Sequence, residues 1–374
     1  MTSAYGGPGK YIQRAAEMDR LALHIAPLGR SALVLIDGFL HDRLAPLVRG
    51  QLEQAQVAAR IEKFAGECCQ PEIGRLDALA RQHHADIIVG IGGGKTADTA
   101  KLVATALDAR MAVVPTIAST DAPCSAVAVR YSPEGVYEAS LHLPRNPDAV
   151  IVDTAIVAKA PARFLVAGIG DALSTWFEAR SNIESRSSNY VAGGFPPTRA
   201  GIAIARECHE VLMRDALKAR IAAERGLCTA AVENIIEANT LLSSLGFENC
   251  GCAAAHGIHD GLTVLAETHG LLHGEKVAFG TLCLLMLENR ALAEIDAMVR
   301  FCQELGLPTT MADLNLHGDL RGFARRIAEA ALAPGKCTHA TPVSMTVDLV
   351  ADAILALDAL ACRIAAGPRV EGKG

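Results

Sequence analysis

Short apolar runs alternate with longer stretches of helical periodicity through the first part of the chain. The runs are rich in Val and Ile and lie at 32–36, 86–89, 112–115 and 149–152. After the second run, apolar positions recur with helical spacing over 97–107. Such alternation predicts βαβ units, in which a parallel sheet carries helices on both faces.

The pattern changes near residue 160. From Pro161 onward the β-branched clusters disappear, and Ala- and Leu-rich segments of helical period follow, as at 222–245 and 347–365. We therefore expect an α/β domain over 1–160 and an all-helical domain over 161–374. Ligands of open α/β sheets bind at the carboxyl ends of the strands, often in a cleft between domains, so the chemistry should lie between the two parts.

Composition narrows the possible partners. The 374 residues carry a net charge of −6 with both signs interspersed, so neither nucleic acid nor an anionic membrane surface is an expected partner. The apolar run at 277–287 is too short to cross a membrane and predicts a buried helix. The N-terminus has neither a cationic start nor an apolar core, which argues against a secretory signal.

Eleven cysteines are scattered without a framework spacing, as is typical of reduced thiols in the cytoplasm. Cys250 and Cys252 form a C-x-C close to His256, which could suggest a metal knuckle. No second cysteine pair lies at zinc-ribbon spacing in the sequence. Small buried residues are therefore the simpler interpretation.

A glycine-rich turn separates an apolar run from the helical stretch at 97–107. It reads Gly90-Ile-Gly-Gly-Gly-Lys-Thr96. Glycines let the backbone approach an anion closely, and the helix that follows offers free N–H groups. Neither a P-loop nor a G-x-G-x-x-G fingerprint fits, because Val89 and Lys95 stand where those motifs need glycine. A plain strand–helix turn is the alternative, but three consecutive glycines before Lys-Thr favour a diphosphate site.

Asp37 directly follows the run at 32–36. A carboxylate at the end of such a strand can accept both hydroxyls of an adenosine ribose and would repel a 2′-phosphate. Spacing alone favours an ordinary strand-end or turn aspartate.

Three residues of the helical part form a candidate metal set: Asp171, His256 and His273. One carboxylate and two imidazoles suit a catalytic metal that keeps positions open for substrate or water. His259 and His269 compete for the same role, and a histidine among alanines is more often a satisfied core residue.

Four separated segments together resemble a known family. They are Gly90-Ile-Gly-Gly-Gly-Lys-Thr-Ala-Asp-Thr-Ala-Lys101, Pro115-Thr-Ile-Ala-Ser-Thr-Asp-Ala-Pro-Cys-Ser125, Gly170-Asp-Ala-Leu-Ser-Thr175 and His273-Gly-Glu-Lys-Val-Ala-Phe-Gly280. In this order they resemble the glycerol dehydrogenase branch of the iron-containing (group III) alcohol dehydrogenases, a superfamily that also contains dehydroquinate synthase. The resemblance implies an N-terminal NAD-binding α/β domain and a helical metal-binding catalytic domain.

The resemblance also implies roles for individual residues. Asp171, His256 and His273 become the metal ligands, and Asp121 faces the substrate, with a loop-capping aspartate as the alternative for Asp121. Asp37 binds the adenosine ribose. The rest of the dinucleotide site is formed by Gly93, Gly94, Lys95, Asp98, Thr116, Ser119, Ser125, Val127 and Tyr131.

This sequence departs from the family in a few places. Iron-dependent relatives carry a further histidine four residues after the aspartate ligand, but Thr175 stands there, so three ligands favour Zn²⁺ over Fe²⁺. Cys250, Cys252, Asp260 and Arg130 differ from the residues usual in the family. They leave the candidate ligands intact but bear on the lining of the pocket.

The expected function is NAD-dependent oxidation of glycerol, or of another small vicinal diol, at a catalytic zinc. Siblings that act on simple alcohols, 2-hydroxy acids or polyol phosphates are the nearest alternatives. A catalytically silent nucleotide-binding assembly is the alternative from another class. The resemblance further implies a homo-oligomer, often an octamer, in the cytoplasm.

Overall fold

The computed structural model describes residues 2–366, and a six-stranded parallel sheet forms its N-terminal part. The strands of the sheet lie side by side in the order β1-β8-β5-β4-β2-β3. An antiparallel hairpin of β6 and β7 stands apart from it. The strands are β1 (Tyr11–Arg14), β2 (Ser31–Asp37), β3 (Ala58–Phe64), β4 (Ile87–Gly92), β5 (Arg110–Pro115), β6 (Val127–Tyr131), β7 (Tyr137–His142) and β8 (Ala149–Asp153).

Fourteen α-helices accompany these strands in the described part of the chain. They are α1 (Leu21–Ile25), α2 (His41–Gln54), α3 (Gln70–Gln82), α4 (Gly94–Leu107), α5 (Thr154–Ala158), α6 (Ala162–Ser185), α7 (Arg199–Ala223), α8 (Ala230–Glu237), α9 (Ser243–Cys250), α10 (Ala254–Leu262), α11 (His273–Leu287), α12 (Leu292–Leu305), α13 (Leu320–Ala331) and α14 (Val347–Ala365).

Successive residues of the central strands bury side chains on opposite faces of the sheet, as strand geometry requires. On β2, Val34 belongs to the core that α1 and α2 cover, whereas Leu35 belongs to the core that includes residues of α3 and α4. This confirms the predicted parallel sheet with helices on both faces. The four apolar runs correspond to β2, β4, β5 and β8.

Two strands of the sheet were not predicted from the sequence. β1 and β3 form its edges, and most of their residues are only partly buried. Such strands need no continuous apolar run, and β3 mixes three charged residues with small and apolar ones. The hairpin was likewise not predicted.

The C-terminal part contains only helices among its described elements. Its large core joins α6, α7, α8 and α10 through α14, with the interior of α11 almost entirely buried. The prediction of helix over the whole of 222–245 is wrong, because the chain turns between α7 and α8. Gly226 has a positive φ of 65° there, and the Thr229 side chain caps α8 by accepting the Val232 N–H.

The proposed division at residue 160 falls between β8 and α6, and residues 367–374 of the second domain lie outside the described range. A cleft of about 870 Å³ is lined by residues from both parts of the chain. Among residues 2–366, none of the helices combines the length and hydropathy that crossing a bilayer requires.

Candidate active site

Three helices bring Asp171, His256 and His273 together beside the cleft. Asp171 lies within α6, His256 near the start of α10, and His273 is the first residue of α11. The Asp171 side chain is fully buried, whereas the two imidazoles are 16% and 31% exposed and line the cleft. Residues far apart in sequence therefore meet at one point.

The spacing of their donor atoms fits a small divalent cation. Asp171 Oδ1 is 3.5 Å from His256 Nε2 and 3.3 Å from His273 Nε2. Two ligand atoms that bind one zinc ion at a tetrahedral angle stand about 3.4 Å apart. All three donor atoms lie within 4.8 Å of one another, so one ion could contact them all.

The Asp171 carboxylate gives a second reason to expect a cation. Its Oδ1 is buried and accepts no hydrogen bond within the described part of the chain, and a buried acceptor left unpaired costs roughly 1–3 kcal/mol, more if charged. Burial alone would raise the pKa of Asp171, but the two neighbouring histidines outweigh burial and hold its pKa below the ordinary value. The carboxylate is therefore ionised and suited to bind a metal.

Glu178 orients His256. Its Oε2 is 2.7 Å from His256 Nδ1, and its Oε1 accepts the backbone N–H groups of Ala253 and His256. Because an ionised carboxylate only accepts, Nδ1 must carry the proton, which leaves the Nε2 lone pair free for a metal. Glu178 was not predicted, although Asp171, Thr175 and Glu178 share one face of α6 at i, i+4 and i+7.

Asp121 lies directly against the candidate ligands. Its backbone N–H donates to Asp171 Oδ2 at 3.1 Å, and its own Oδ2 accepts a 2.8 Å hydrogen bond from Ser243. Burial and the Asp171 carboxylate both raise the pKa of Asp121 well above its ordinary value. Its side chain does not cap the short 3₁₀ helix that follows, so the loop-capping alternative is wrong.

Thr175 occupies the position where iron-dependent relatives carry a fourth ligand. The side chain is buried, and its hydroxyl is 2.8 Å from that of Ser243. It therefore supports the serine that holds Asp121.

Two glycines allow α6 and α11 to cross closely at the candidate ligands. A Cβ on Gly170 would lie 2.4 Å from the carbonyl oxygen of Gly274, and a Cβ on Gly274 would lie 1.8 Å from that of Ala167. These glycines directly precede Asp171 and follow His273. Any larger side chain would force the two ligands apart.

The predicted dinucleotide residues meet along the N-terminal side of the same cleft. α4 begins at Gly94, and no side chain caps it at Gly93, so the amides of its first turn are available to an anion. Gly92 lets Asp37 approach this turn, because a Cβ there would come within 3.0 Å of Asp37 Cβ. The cleft is lined by Asp37, Gly93, Gly94, Lys95, Asp98, Ser119, Ser125, Val127 and Tyr131.

Thr116 and Asp98 differ from their predicted roles. Thr116 is buried behind the cleft wall, and its N–H donates to the carbonyl of Gly92. It supports the turn instead of lining the site. The Asp98 carboxylate is already engaged by Lys101 and by the N–H of Val129. A carboxylate also repels a diphosphate, so we expect any contribution of Asp98 to cofactor binding to be indirect.

The two histidines that competed as metal ligands, His259 and His269, lie in different surroundings. His269 is exposed and hydrogen-bonds the Thr263 carbonyl, outside the cleft lining. His259 packs against His273, and the centroids of their rings are 4.1 Å apart. Burial and the neighbouring His273 lower the pKa of His259 to about 3, so its imidazole is neutral and supports the site as a packing partner.

The two cysteines of the C-x-C also differ. Cys250 is a small buried residue packed with Ala179 and Ala205. Cys252 lies within 4.8 Å of donor atoms of Glu178 and His256 and lines the cleft. A metal on this side of His256 is disfavoured, because Nδ1 carries a proton and donates it in a hydrogen bond to Glu178.

Comparisons with known proteins agree with this arrangement. The sequence pattern described as iron-containing alcohol dehydrogenase matches residues 8–154. The chain is 49% identical to a glycerol dehydrogenase of Pseudomonas putida, over 96% of this chain and 98% of the relative. A glycolaldehyde reductase of Halobacterium salinarum is 42% identical over 97% of this chain and 99% of its own length.

A solved structure extends the comparison to three dimensions. A probable glycerol dehydrogenase from Sinorhizobium meliloti 1021 is 66% identical to this chain and superposes with a TM-score of 0.93, covering 97% of this chain and all of the other. The likeness therefore includes the helical half beyond residue 154.

Proposed function

The chain belongs to the iron-containing alcohol dehydrogenase family of oxidoreductases, and on that premise we propose that it oxidises glycerol reversibly to dihydroxyacetone with NAD⁺ at one bound zinc ion. Other small vicinal diols would be secondary substrates. The observation that carries the proposal is the convergence of Asp171, His256 and His273 around an unpartnered carboxylate oxygen, beside a cleft that also contains the glycine turn.

The proposed cofactor follows from the N-terminal side of the cleft. The open amides at the start of α4 suit a diphosphate. Asp37 would accept the ribose hydroxyls and exclude a 2′-phosphate, which favours NAD over NADP.

Zinc is favoured because three protein ligands are available and Thr175 replaces a fourth. When bound, the ion would supply Lewis acidity that lowers the pKa of a neighbouring alcohol, as zinc lowers that of water to ~7. In the net reaction, C2 of glycerol loses a hydride to NAD⁺ and its hydroxyl loses a proton. Dihydroxyacetone, NADH and one proton result.

Asp121 and Ser243 would serve the alcohol rather than the ion. Ser243 occupies one oxygen of the Asp121 carboxylate, so the other oxygen can accept a substrate hydroxyl or its proton. Asp121 and Asp171 already share this buried space, and burial together with Asp171 raises the pKa of Asp121, which supports a site that disfavours further negative charge. The site should therefore prefer neutral polyols to phosphorylated ones.

A second candidate function is reduction of a short hydroxyaldehyde. The similarity to the glycolaldehyde reductase favours it, and the same site would run the chemistry in reverse with NADH. A further sibling activity on simple alcohols or 2-hydroxy acids finds less support, since simple alcohols lack the second hydroxyl and 2-hydroxy acids bring a negative charge close to Asp121 and Asp171.

A substrate panel tests the proposal. Zinc-loaded enzyme with NAD⁺ is given glycerol, 1,2-propanediol, 2,3-butanediol, ethanol, lactate and glycerol 1-phosphate, and with NADH it is given dihydroxyacetone and glycolaldehyde. We expect the highest kcat/KM among the oxidations for glycerol, and dihydroxyacetone ahead of glycolaldehyde. A preference for ethanol, lactate or the phosphate would overturn the substrate class.

The Asp121→Asn variant refines the same panel. It should lower kcat/KM for glycerol, because an amide cannot accept the proton of the substrate hydroxyl. It should also narrow the discrimination against glycerol 1-phosphate, because no negative charge can then form at this position to repel the phosphate. Unchanged values for both substrates would remove Asp121 from the substrate site.

A further inference from the structure

A fully buried lysine underlies the cleft without a role in the proposed reaction. Lys101 lies on α4, and its side chain is 0% exposed. Lysines are almost never fully buried unless their ammonium group is paired. Its surroundings should therefore explain why a cation is kept there.

The ammonium group of Lys101 holds the two ends of one loop. Nζ donates to the carbonyl oxygen of Ala122 at 2.5 Å and to that of Val127 at 2.8 Å. Asp98 Oδ1 and Ser125 Oγ lie farther away, at 3.4 and 3.5 Å. We call residues 121–127 the clasp loop. A single side chain of α4 thus fixes its shape.

The clasp loop connects the two candidate binding sites. Ser125 and Val127 line the cleft on the predicted dinucleotide side. At the other end, the Asp121 N–H donates to Asp171 Oδ2, the oxygen next to the unpartnered one. Ser244 of α9 donates to the Asp121 carbonyl. Lys101 is therefore one residue of backbone away from the group that orients the carboxylate ligand.

An apolar side chain at position 101 could fill the volume of the lysine side chain but could not replace the hydrogen bonds of its ammonium group. Without the ammonium, the carbonyl groups of Ala122 and Val127 and the carboxylate of Asp98 would each lose a buried donor, which is unfavourable for a buried acceptor. The loop would relieve this cost by moving its carbonyls toward water, and Asp121 and Ser125 would move with it. A purely structural lysine would not need to join these two ends of the loop.

We infer that Lys101 is a positioning residue that couples the dinucleotide wall to the metal site by fixing the clasp loop. The inference rests on the proposed function, because it assumes that the cleft binds NAD and a divalent metal. Lys101 would contact neither NAD nor the metal, but the binding of both would depend on it.

Paired variants test the inference. Lys101→Met alone would leave the Asp98 carboxylate buried without its cation, so the main variant combines Lys101→Met with Asp98→Asn, whose side-chain oxygen can still accept the Val129 N–H. Asp98→Asn alone is the matched reference. Val103 is a buried residue of the same helix that packs against the sheet and α3 instead of the clasp loop. The Val103→Ala variant therefore controls for general destabilisation.

Two binding constants are measured on the full-length protein without any diol: Kd for Zn²⁺ by chelator competition, and Kd for NADH by fluorescence. We expect both to rise about tenfold or more in the double variant relative to Asp98→Asn, in the range found for other residues that support metal ligands. Val103→Ala should leave both within threefold of wild type.

Equal Kd values for the double variant and Asp98→Asn would overturn the inference, as would an equal loss in Val103→Ala. Circular dichroism checks that each variant is folded at the assay temperature. A wild type that binds Zn²⁺ and NADH but does not oxidise glycerol would instead contradict the proposed function and leave this comparison valid.

Discussion

Two of the three candidate ligands depend on a residue that would not itself touch the metal. Glu178 fixes the proton of His256, and the Asp121 N–H holds one oxygen of Asp171. Spacing alone left His259 and His269 as competitors, and the family resemblance grouped Asp171, His256 and His273, which the structure brings together. The sequence motifs could not reveal Glu178 or Ser243, because those contacts arise only when α6, α9 and α10 pack against one another.

At this scale, Glu178→Gln tests the support of His256. The glutamine amide has a single oxygen, so it cannot accept all the hydrogen bonds that Glu178 accepts, and its NH₂ group can donate to His256 Nδ1. That donation favours the tautomer with the proton on Nε2, which cannot bind a metal through Nε2. We expect zinc affinity and kcat each to fall about 10- to 100-fold with little change in fold. Full zinc content and wild-type turnover in the variant would show that Glu178 is only structural.

Asp37 tests cofactor choice. Asp37→Gly should lower kcat/KM for NAD by about tenfold or more, since hydrogen bonds to a charged group contribute about 1.5–3 kcal/mol, and should raise it for NADP by removing a repulsive charge. Asp42→Asn, an exposed carboxylate nearby in sequence, is the control and should change neither. Equal use of both cofactors by the wild type would contradict the role of Asp37.

At the scale of elements, helix and strand prediction succeeded where burial was complete. Strands β2, β4, β5 and β8 each contain an uninterrupted buried run of apolar residues, so their runs were visible in the sequence. The edge strands β1 and β3 are half exposed and carried no such signal. α4 begins at Gly94 rather than at residue 97, because the last glycine and Lys-Thr of the turn already adopt helical geometry.

The crossing of α6 and α11 gives a prediction for an element. Gly274→Ala should destabilise the protein by about 1–3 kcal/mol through overpacking and weaken zinc binding, because the added methyl pushes His273 away from Asp171. Gly74→Ala, in α3 with nothing within 4 Å of its Cβ, is the matched control and should stabilise the protein by about 0.4–1 kcal/mol. Thermal unfolding and metal analysis measure both. Zinc affinity equal to wild type in Gly274→Ala would show that the crossing does not set the ligand distance.

At the scale of the whole molecule, the cleft unites two chemically different halves. The glycine turn and Asp37 come from the sheet, and the candidate ligands come from helices that follow it. The sequence predicted this division because β-branched runs stop before Pro161, but the depth of the cleft and the clasp loop depend on packing between the halves. Assembly into a homo-oligomer stays a prediction.

The proposed function requires one zinc ion, NAD and glycerol to act together in this cleft. The most direct test strips the protein with a chelator, titrates it with Zn²⁺, and follows NADH formation from glycerol. We predict that turnover is absent in the stripped protein and rises linearly until one zinc is bound per chain, whereas His273→Ala regains none. Glycerol oxidation by the metal-free protein at the rate of the zinc-loaded enzyme would contradict the account.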